Sequence, residues 1–365
     1  MTAIDGPTPE ADDAGAAQHL RQPEPRSAQE SESERLSERL SEQLWRPRWS
    51  GKAGRLEVWY ATFTDAESGA GLWVHGETLS PTSGSGAGGS ETGGSGTGAG
   101  GATSHGWAAW FPSEGQPVWA RTGTCDAVPV GQGDGEGTGF RCPGLDIDTT
   151  GTTGAAGSLE WDLRWSFDSQ EPLWTFPRWA WRRELLPAAQ VVAAPSMVAT
   201  GWVSDAEGGH EVSGHAQGAR IYGHGNARRW GWLHADLGDG DVIELVTAVS
   251  NRAALRTPWP LTFLRLRVGG VEVSRARLAC WGLRSTLDLS RWRVHGRTQG
   301  LEVDIEVDLP EDRIVSIDYT DPDGSTAVCT NSERADAVVT VTDQRGRRRC
   351  WTLDGTAHAE IGTRP

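Results

Sequence analysis

Residues 214–234 read GHAQGARIYGHGNARRWGWLH, and this stretch is where the fold of the chain is most legible. It divides into two strands and a turn. Gly223 and Gly225 flank His224, which predicts tight backbone with positive φ, a place where a side chain can be aimed. After the turn, Trp230, Trp232 and His234 recur with period two, so they share one face of the second strand. That face is either a packed core holding a satisfied histidine or the wall of a cavity. Three histidines, three arginines and two tryptophans in so short a span are more polar chemistry than a segment built only to fold needs.

The same texture extends in both directions. Leu56–Phe63, Leu72–Leu79 and Trp107–Phe111 are β-branched and aromatic runs separated by turn residues. Further runs at Ser196–Val203, Val242–Val249, Leu261–Val268, Leu301–Val307 and Ile314–Tyr319 follow the same rule, and Asp321-Pro322-Asp323-Gly324 is a turn signal. Short strands at regular spacing predict an all-β protein of two barrels in tandem. The expected division is an N-terminal barrel over 55–207 and a C-terminal barrel over 208–365. Residues 1–54 are read as a disordered tail followed by a short helix, Ser31–Trp45, with Leu36, Leu40 and Leu44 four apart. The glycine–serine run 81–104 is read as an expanded hairpin loop, and 131–139 likewise. Trp174–Leu186 reads as a short helix or lid segment.

Composition excludes several function classes. A formal charge of −15 argues against a nucleic-acid partner. No P-loop or dinucleotide-binding fingerprint is present. No apolar run approaches about 20 residues, and the first residues do not form a secretory signal, so the expected location is cytoplasmic. Cys125, Cys142, Cys280, Cys329 and Cys350 are scattered, which fits a reducing compartment. The histidines show neither H-x-H nor H-E-x-x-H spacing, so no metal and no cofactor are expected. Cys329 and Ser204–Asp205 lack the context of a nucleophile. There are 19 Trp against 3 Tyr and 6 Phe. Indole rings line apolar cavities well while keeping one N–H donor each.

Tyr222-Gly223-His224-Gly225-Asn226, followed by Arg229-Trp230-Gly231-Trp232-Leu233-His234, resembles the central motif of the tocopherol cyclase and hydroxyneurosporene synthase (carotenoid 1,2-hydratase) superfamily. The tail is similar to that superfamily too: Tyr319-x-Asp321-Pro322-Asp323-Gly324, Cys329-x-Asn331, and Ala357-His358-Ala359-Glu360-Ile361-Gly362. So is the start, at Glu57-x-Trp59-Tyr60 and Gly71-Leu72-Trp73. The resemblance implies two lipocalin-like barrels with an apolar cavity, in which a terpenoid chain is protonated and then cyclised or hydrated. His224 stands where that family carries a carboxylic acid. An imidazolium near its usual pKa of about 6.5 is poorly suited to protonating an alkene. A carboxyl group shielded in an apolar pocket suits it better, and Glu244, Asp236 and Glu360 are the candidates.

The expected catalytic set is therefore His224 with Tyr222 or His234 as partner, together with Glu244. Asn226, Arg228, Trp230, Trp232 and Glu360 are expected to contact an apolar, isoprenoid-like small molecule. The alternative is a non-catalytic carrier of such a molecule, its histidines fixing a polar oxygen and its tryptophans lining the cavity.

Overall fold

The computed structural model describes residue 40 and residues 42–82, 101–131, 137–167, 171–184, 186–251, 257, 259–277 and 279–364. The predicted tail and most of the leucine-striped helix lie outside these residues; the last turn of that helix, 42–45, is helical.

The chain forms two curled antiparallel sheets, as tandem lipocalin-like barrels require. The first holds β1 (Arg55–Asp65), β2 (Gly71–Ser80), β3 (Thr103–Phe111), β4 (Val118–Arg121), β5 (Cys125–Asp126), β6 (Phe140–Cys142), β7 (Leu145–Ile147), β8 (Gly151–Ala156), β9 (Leu159–Phe167) and β10 (Leu173–Trp174). A short helix, α1 (Arg178–Arg183), then leads to β11 (Ala188–Ser204) and β12 (Gly209–Gly223), which complete that sheet. The second sheet holds β13 (Arg229–Gly238), β14 (Asp241–Val249), β15 (Leu261–Val268), β16 (Val271–Ser274), β17 (Leu283–Leu287), β18 (Arg291–Thr298), β19 (Leu301–Asp308), β20 (Val315–Thr320), β21 (Thr326–Thr342) and β22 (Arg348–Thr363). β2 and β3 pair from Gly71↔Phe111 to Leu79↔Thr103, so the glycine–serine run bridges a hairpin.

The change of sheet differs from the boundary expected at 207/208. β12 pairs with both β1 and β11 of the first sheet, so the crossover comes after Gly223. Asp205 and Gly208 only close a hairpin, through Asp205 N–H to Gly208 O. A turn signal marks where the chain reverses and carries no information about which sheet the next strand joins.

The first sheet curls until Phe140 of β6 lies over β2. Its ring sits where a Cβ on Gly76 would meet it at 2.2 Å, and 5.2 Å from the Trp59 ring. Gly76→Ala is expected to destabilise the protein by about 1–3 kcal/mol through overpacking, read as a lower midpoint in urea unfolding. The segment before β1 is fastened by buried Arg220 of β12. Its guanidinium lies 3.9 Å from the Trp59 ring centroid, pairs with Glu57, and donates to the Arg46 carbonyl at 2.9 Å. Glu57 in turn accepts the Arg48 and Trp49 N–H groups at 2.7 Å each.

Four central strands are buried on both faces, and this builds the site. In β1, Trp59, Ala61 and Phe63 enter the first barrel's core, whereas Leu56, Val58 and Tyr60 face the second barrel. In β2, Leu72 and Val74 enter the core, and Trp73 packs against Trp230, Ile317 and Tyr319 of the second barrel. In β13 and β22, Leu233, Ala235, Ala357, Ala359 and Ile361 fill the second core. The alternate positions Trp230, Trp232, His234, His358 and Glu360 are left to the opposite face, by the two-residue period of a strand. Apart from the buried Arg220–Glu57 pair on the core side of the first barrel, the barrel interiors are largely apolar, and the polar side chains on the opposite faces of these strands meet between the barrels.

Candidate active site between the barrels

A cavity of about 520 Å³ lies between the two barrels, within the range of small-molecule sites. Leu56, Val58, Ile221, Val246 and Phe263 make much of its wall, and the rings of Tyr60, Trp73, Trp230, Trp232 and Tyr319 face it. Three polar side chains that matter chemically reach the same wall: His75, Glu77 and Glu360.

Glu360 on β22 accepts the indole N–H of Trp230 at 2.5 Å and the Tyr319 hydroxyl at 3.4 Å. Burial pushes its carboxyl above the usual carboxylate range, while the bonds from Trp230, Cys329 and Tyr319 pull part of the way back. Trp230 is set opposite Gly362, and a Cβ at Gly362 would lie 1.9 Å from its ring. The glycine thus lets the indole lie flat across the strand and reach Glu360.

His75 and Glu77 stand two apart on β2, so they project from the same face. Glu77 is bonded by His75 Nε2 at 3.2 Å and by His105 Nε2 at 3.0 Å. Burial raises its carboxyl, but the two imidazoles outweigh this and hold it down at about 2. It is a fixed carboxylate. Burial lowers the pKa of His75, with Glu77 offsetting it only in part, so the ring is neutral at pH 7. Its ring stacks on Trp107 with centroids 3.9 Å apart. With Nε2–H given to Glu77, the neutral tautomer leaves Nδ1 as an acceptor. Nδ1 is buried and meets no hydrogen-bond partner among the described residues.

Glu244 is buried one layer behind the wall. Its Oε1 accepts the Gln190 amide at 2.6 Å and the Trp232 indole at 2.7 Å, and its Oε2 lies 3.0 Å from His234 Nδ1. Burial pushes its carboxyl up to about 8, against the pull of those two N–H groups. Burial lowers His234 to about 3, so its ring is neutral at pH 7 opposite a Glu244 carboxyl that keeps its proton. Nδ1 of the neutral ring is therefore an acceptor, and Glu244 is the protonated partner that donates to it. The whole group is neutral and hydrogen-bonded, and it holds Gln190, which also donates to Tyr60 Oη at 2.7 Å.

The residues singled out in the sequence separate in space. Trp230, Trp232, Glu360 and Asn226 reach the cavity; Asn226 is held at its rim by Asp321, whose Oδ1 accepts both its N–H groups at 2.9 Å. Glu244 and His234 support the wall from behind. Arg228 is exposed. Tyr222 lies under the Arg48 guanidinium, 4.3 Å from its ring centroid, and His224 is fixed through its backbone N–H to Pro187 O at 2.7 Å; neither lines the cavity. Asp236 lies 3.6 Å from His215, away from the wall. His75, Glu77, Gln190 and the site role of Tyr319 escaped the sequence reading. The Trp73-x-His75-x-Glu77 alternation was the available signal for two of them. Among the described residues no cluster of three or more His, Cys, Asp or Glu side chains could hold a metal ion. No helix among them is long and apolar enough to cross a membrane.

Known proteins agree with this architecture. Two solved structures share the fold at low identity. Kievitone hydratase from Nectria haematococca aligns with a TM-score of 0.54 at 9% identity, over 89% of this chain and 92% of that one. CghA aligns with a TM-score of 0.51 at 13% identity, over 85% of this chain and 88% of that one. An uncharacterized protein of Mycobacterium tuberculosis, Rv0493c, is 46% identical over 319 residues, covering 87% of this chain and 89% of the relative. The profile of the tocopherol cyclase-like family matches residues 138–363, which include the Trp230–Trp232 strand and Glu360, and the chain belongs to that family.

Proposed function

We propose that this protein is an acid–base catalyst acting on a carbon–carbon double bond of an apolar, isoprenoid-like molecule held between the barrels. One observation carries the reading: a carboxyl group biased toward its protonated form and a neutral histidine with an unpartnered nitrogen line the same tryptophan-walled cavity. Burial favours the neutral form of each group, which makes the Glu360 carboxyl a proton donor and the His75 imidazole a proton acceptor. Glu360 transfers its proton to one alkene carbon, leaving a carboxylate and a carbocation. The faces of Trp73, Trp230 and Tyr319 stabilise that cation, and the Glu77 carboxylate adds a fixed negative charge to the wall. His75 Nδ1 then takes a proton from an attacking water, from a substrate hydroxyl closing a ring, or from the adjacent carbon. The outcomes are hydration, cyclisation or isomerisation. Proton return from His75 to Glu360 resets the site. The hydratase among the structures that share the fold is in keeping with this chemistry, as is membership in a cyclase-like family.

The test is incubation in D2O with a panel of prenylated phenols, prenylated quinols and linear carotenes, followed by mass spectrometry. A turned-over substrate carries at least one carbon-bound deuterium whichever of the three outcomes follows. A molecule that co-purifies in stoichiometric amount but gains no deuterium would establish a carrier and overturn the catalytic reading.

A further inference from the structure

At its open end the cavity is bordered by two segments of unusual composition. One is α1, RWAWRR, and the other is the stretch 275–284 with Trp259 beside it. They are neighbours in space: Phe176, Ala180, Phe263 and Ala279 share one buried cluster, and the Phe176 and Phe263 rings are 4.6 Å apart. From this apolar base three tryptophans stand out into solvent. Trp281 is 63% exposed while still lining the cavity, Trp179 is 43% exposed and Trp259 is 37% exposed. Leaving three indoles in water is unfavourable, and clustered apolar exposure marks an interaction site.

Arginines surround them. Arg178, Arg182, Arg183, Arg277 and Arg284 are exposed, and Arg284 lies over Trp259 at 3.8 Å. Among the described residues none of the five pairs with a carboxylate. Glu184 is taken by Lys52 and Arg55, and Glu272 by Arg265, and Glu171 is the exposed acid flanking these segments among the described residues. In a chain of net charge −15, a basic rim at the mouth of an apolar cavity opposes the overall field.

We infer that this rim docks on an anionic lipid bilayer, with Trp179, Trp259 and Trp281 at the headgroup level and the arginines against lipid phosphates. Indole rings favour that depth, and each arginine near an anionic surface adds attraction that salt screens. The docked orientation opens the cavity mouth, at Trp281, onto the acyl region, so an apolar ligand passes between bilayer and cavity without crossing water. Docking is independent of the reaction performed inside.

Co-sedimentation of the full-length protein with phosphatidylcholine vesicles, with and without phosphatidylglycerol, tests this. The protein is expected to pellet with the mixed vesicles at low salt and to be released as salt rises. Brominated acyl chains are expected to quench part of its tryptophan emission. Arg182→Glu with Arg183→Glu is expected to weaken binding at least ~10-fold, and Trp179→Ser with Trp281→Ser to lower the quenched fraction to that left by Trp259; near-UV circular dichroism checks that both variants keep the fold. Equal binding to both vesicle types, no binding to either, or variants that bind like the wild type would overturn the inference. In the second case the rim is the seat of a protein partner.

Discussion

Glu360→Gln is expected to lower deuterium incorporation from D2O by about 10²- to 10⁴-fold, the usual contribution of a general acid. The substitution is close to isosteric. The glutamine carbonyl still accepts the Trp230 indole N–H, so the wall and the flat placement of Trp230 over Gly362 survive. What is lost is a transferable proton. Affinity for a bound substrate should therefore change little while turnover collapses, a split that a merely structural role would not give. The pH profile gives a second check. Burial raises the Glu360 carboxyl, and the group works in its protonated form, so kcat falls as pH rises through its folded-state pKa. His75 must be neutral to act as base, and burial lowers its pKa, so the acid limb lies below the usual histidine range. An unchanged rate in Glu360→Gln would move the acid elsewhere and sink this assignment.

Glu244→Gln is expected to have the largest effect on stability, and in the stabilising direction at high pH. The Glu244 carboxyl is raised to about 8 by burial, above its value in the unfolded chain. A raised carboxyl binds its proton more tightly in the native state, so its contribution is fully present below the unfolded pKa. It is lost as pH rises through about 8. From the ordinary carboxylate value of 4.5, the loss accumulates to roughly 5 kcal/mol at 1.36 kcal/mol per pKa unit. Glutamine satisfies the same partners without a charge, its carbonyl accepting from Trp232 and Gln190 and its amide donating to His234 Nδ1. The variant should match the wild type near pH 4 and exceed it by several kcal/mol at pH 9, measured by urea unfolding across that range. Parallel stability curves for the two proteins would show that Glu244 is ionised in the fold and that His234 is not its acceptor. Glu244→Ala should destabilise at every pH, because it strands buried Trp232, Gln190 and His234 donors and acceptors.

The chain sequence by itself determined the all-β class, the strand character and two-residue period of the Trp-x-Trp-x-His segment, and the family resemblance carried by residues 222–234 and the tail. Beside a catalytic set led by His224 it also named three shielded carboxyls as candidate acids, and two of them, Glu244 and Glu360, are buried with raised pKa values. These features are local, since a two-residue period and a turn residue act within a few positions of themselves. Only the tertiary structure decided what each face of a strand meets. β1, β2, β13 and β22 are buried on both sides, and periodicity separates their two faces without saying which one encloses a cavity. His75 and Glu77 look like solvated strand residues until β2 is placed against Tyr319 of the other barrel; burial there lowers His75, while His75 and His105 together hold Glu77 down against the opposing pull of burial. Tyr222 shares its motif with Trp230, yet the change of sheet after Gly223 turns it toward Arg48 and away from the cavity. The division of a strand into core face and cavity face depends on contacts more than a hundred residues apart, such as Gln190 with Tyr60, and no local pattern encodes them.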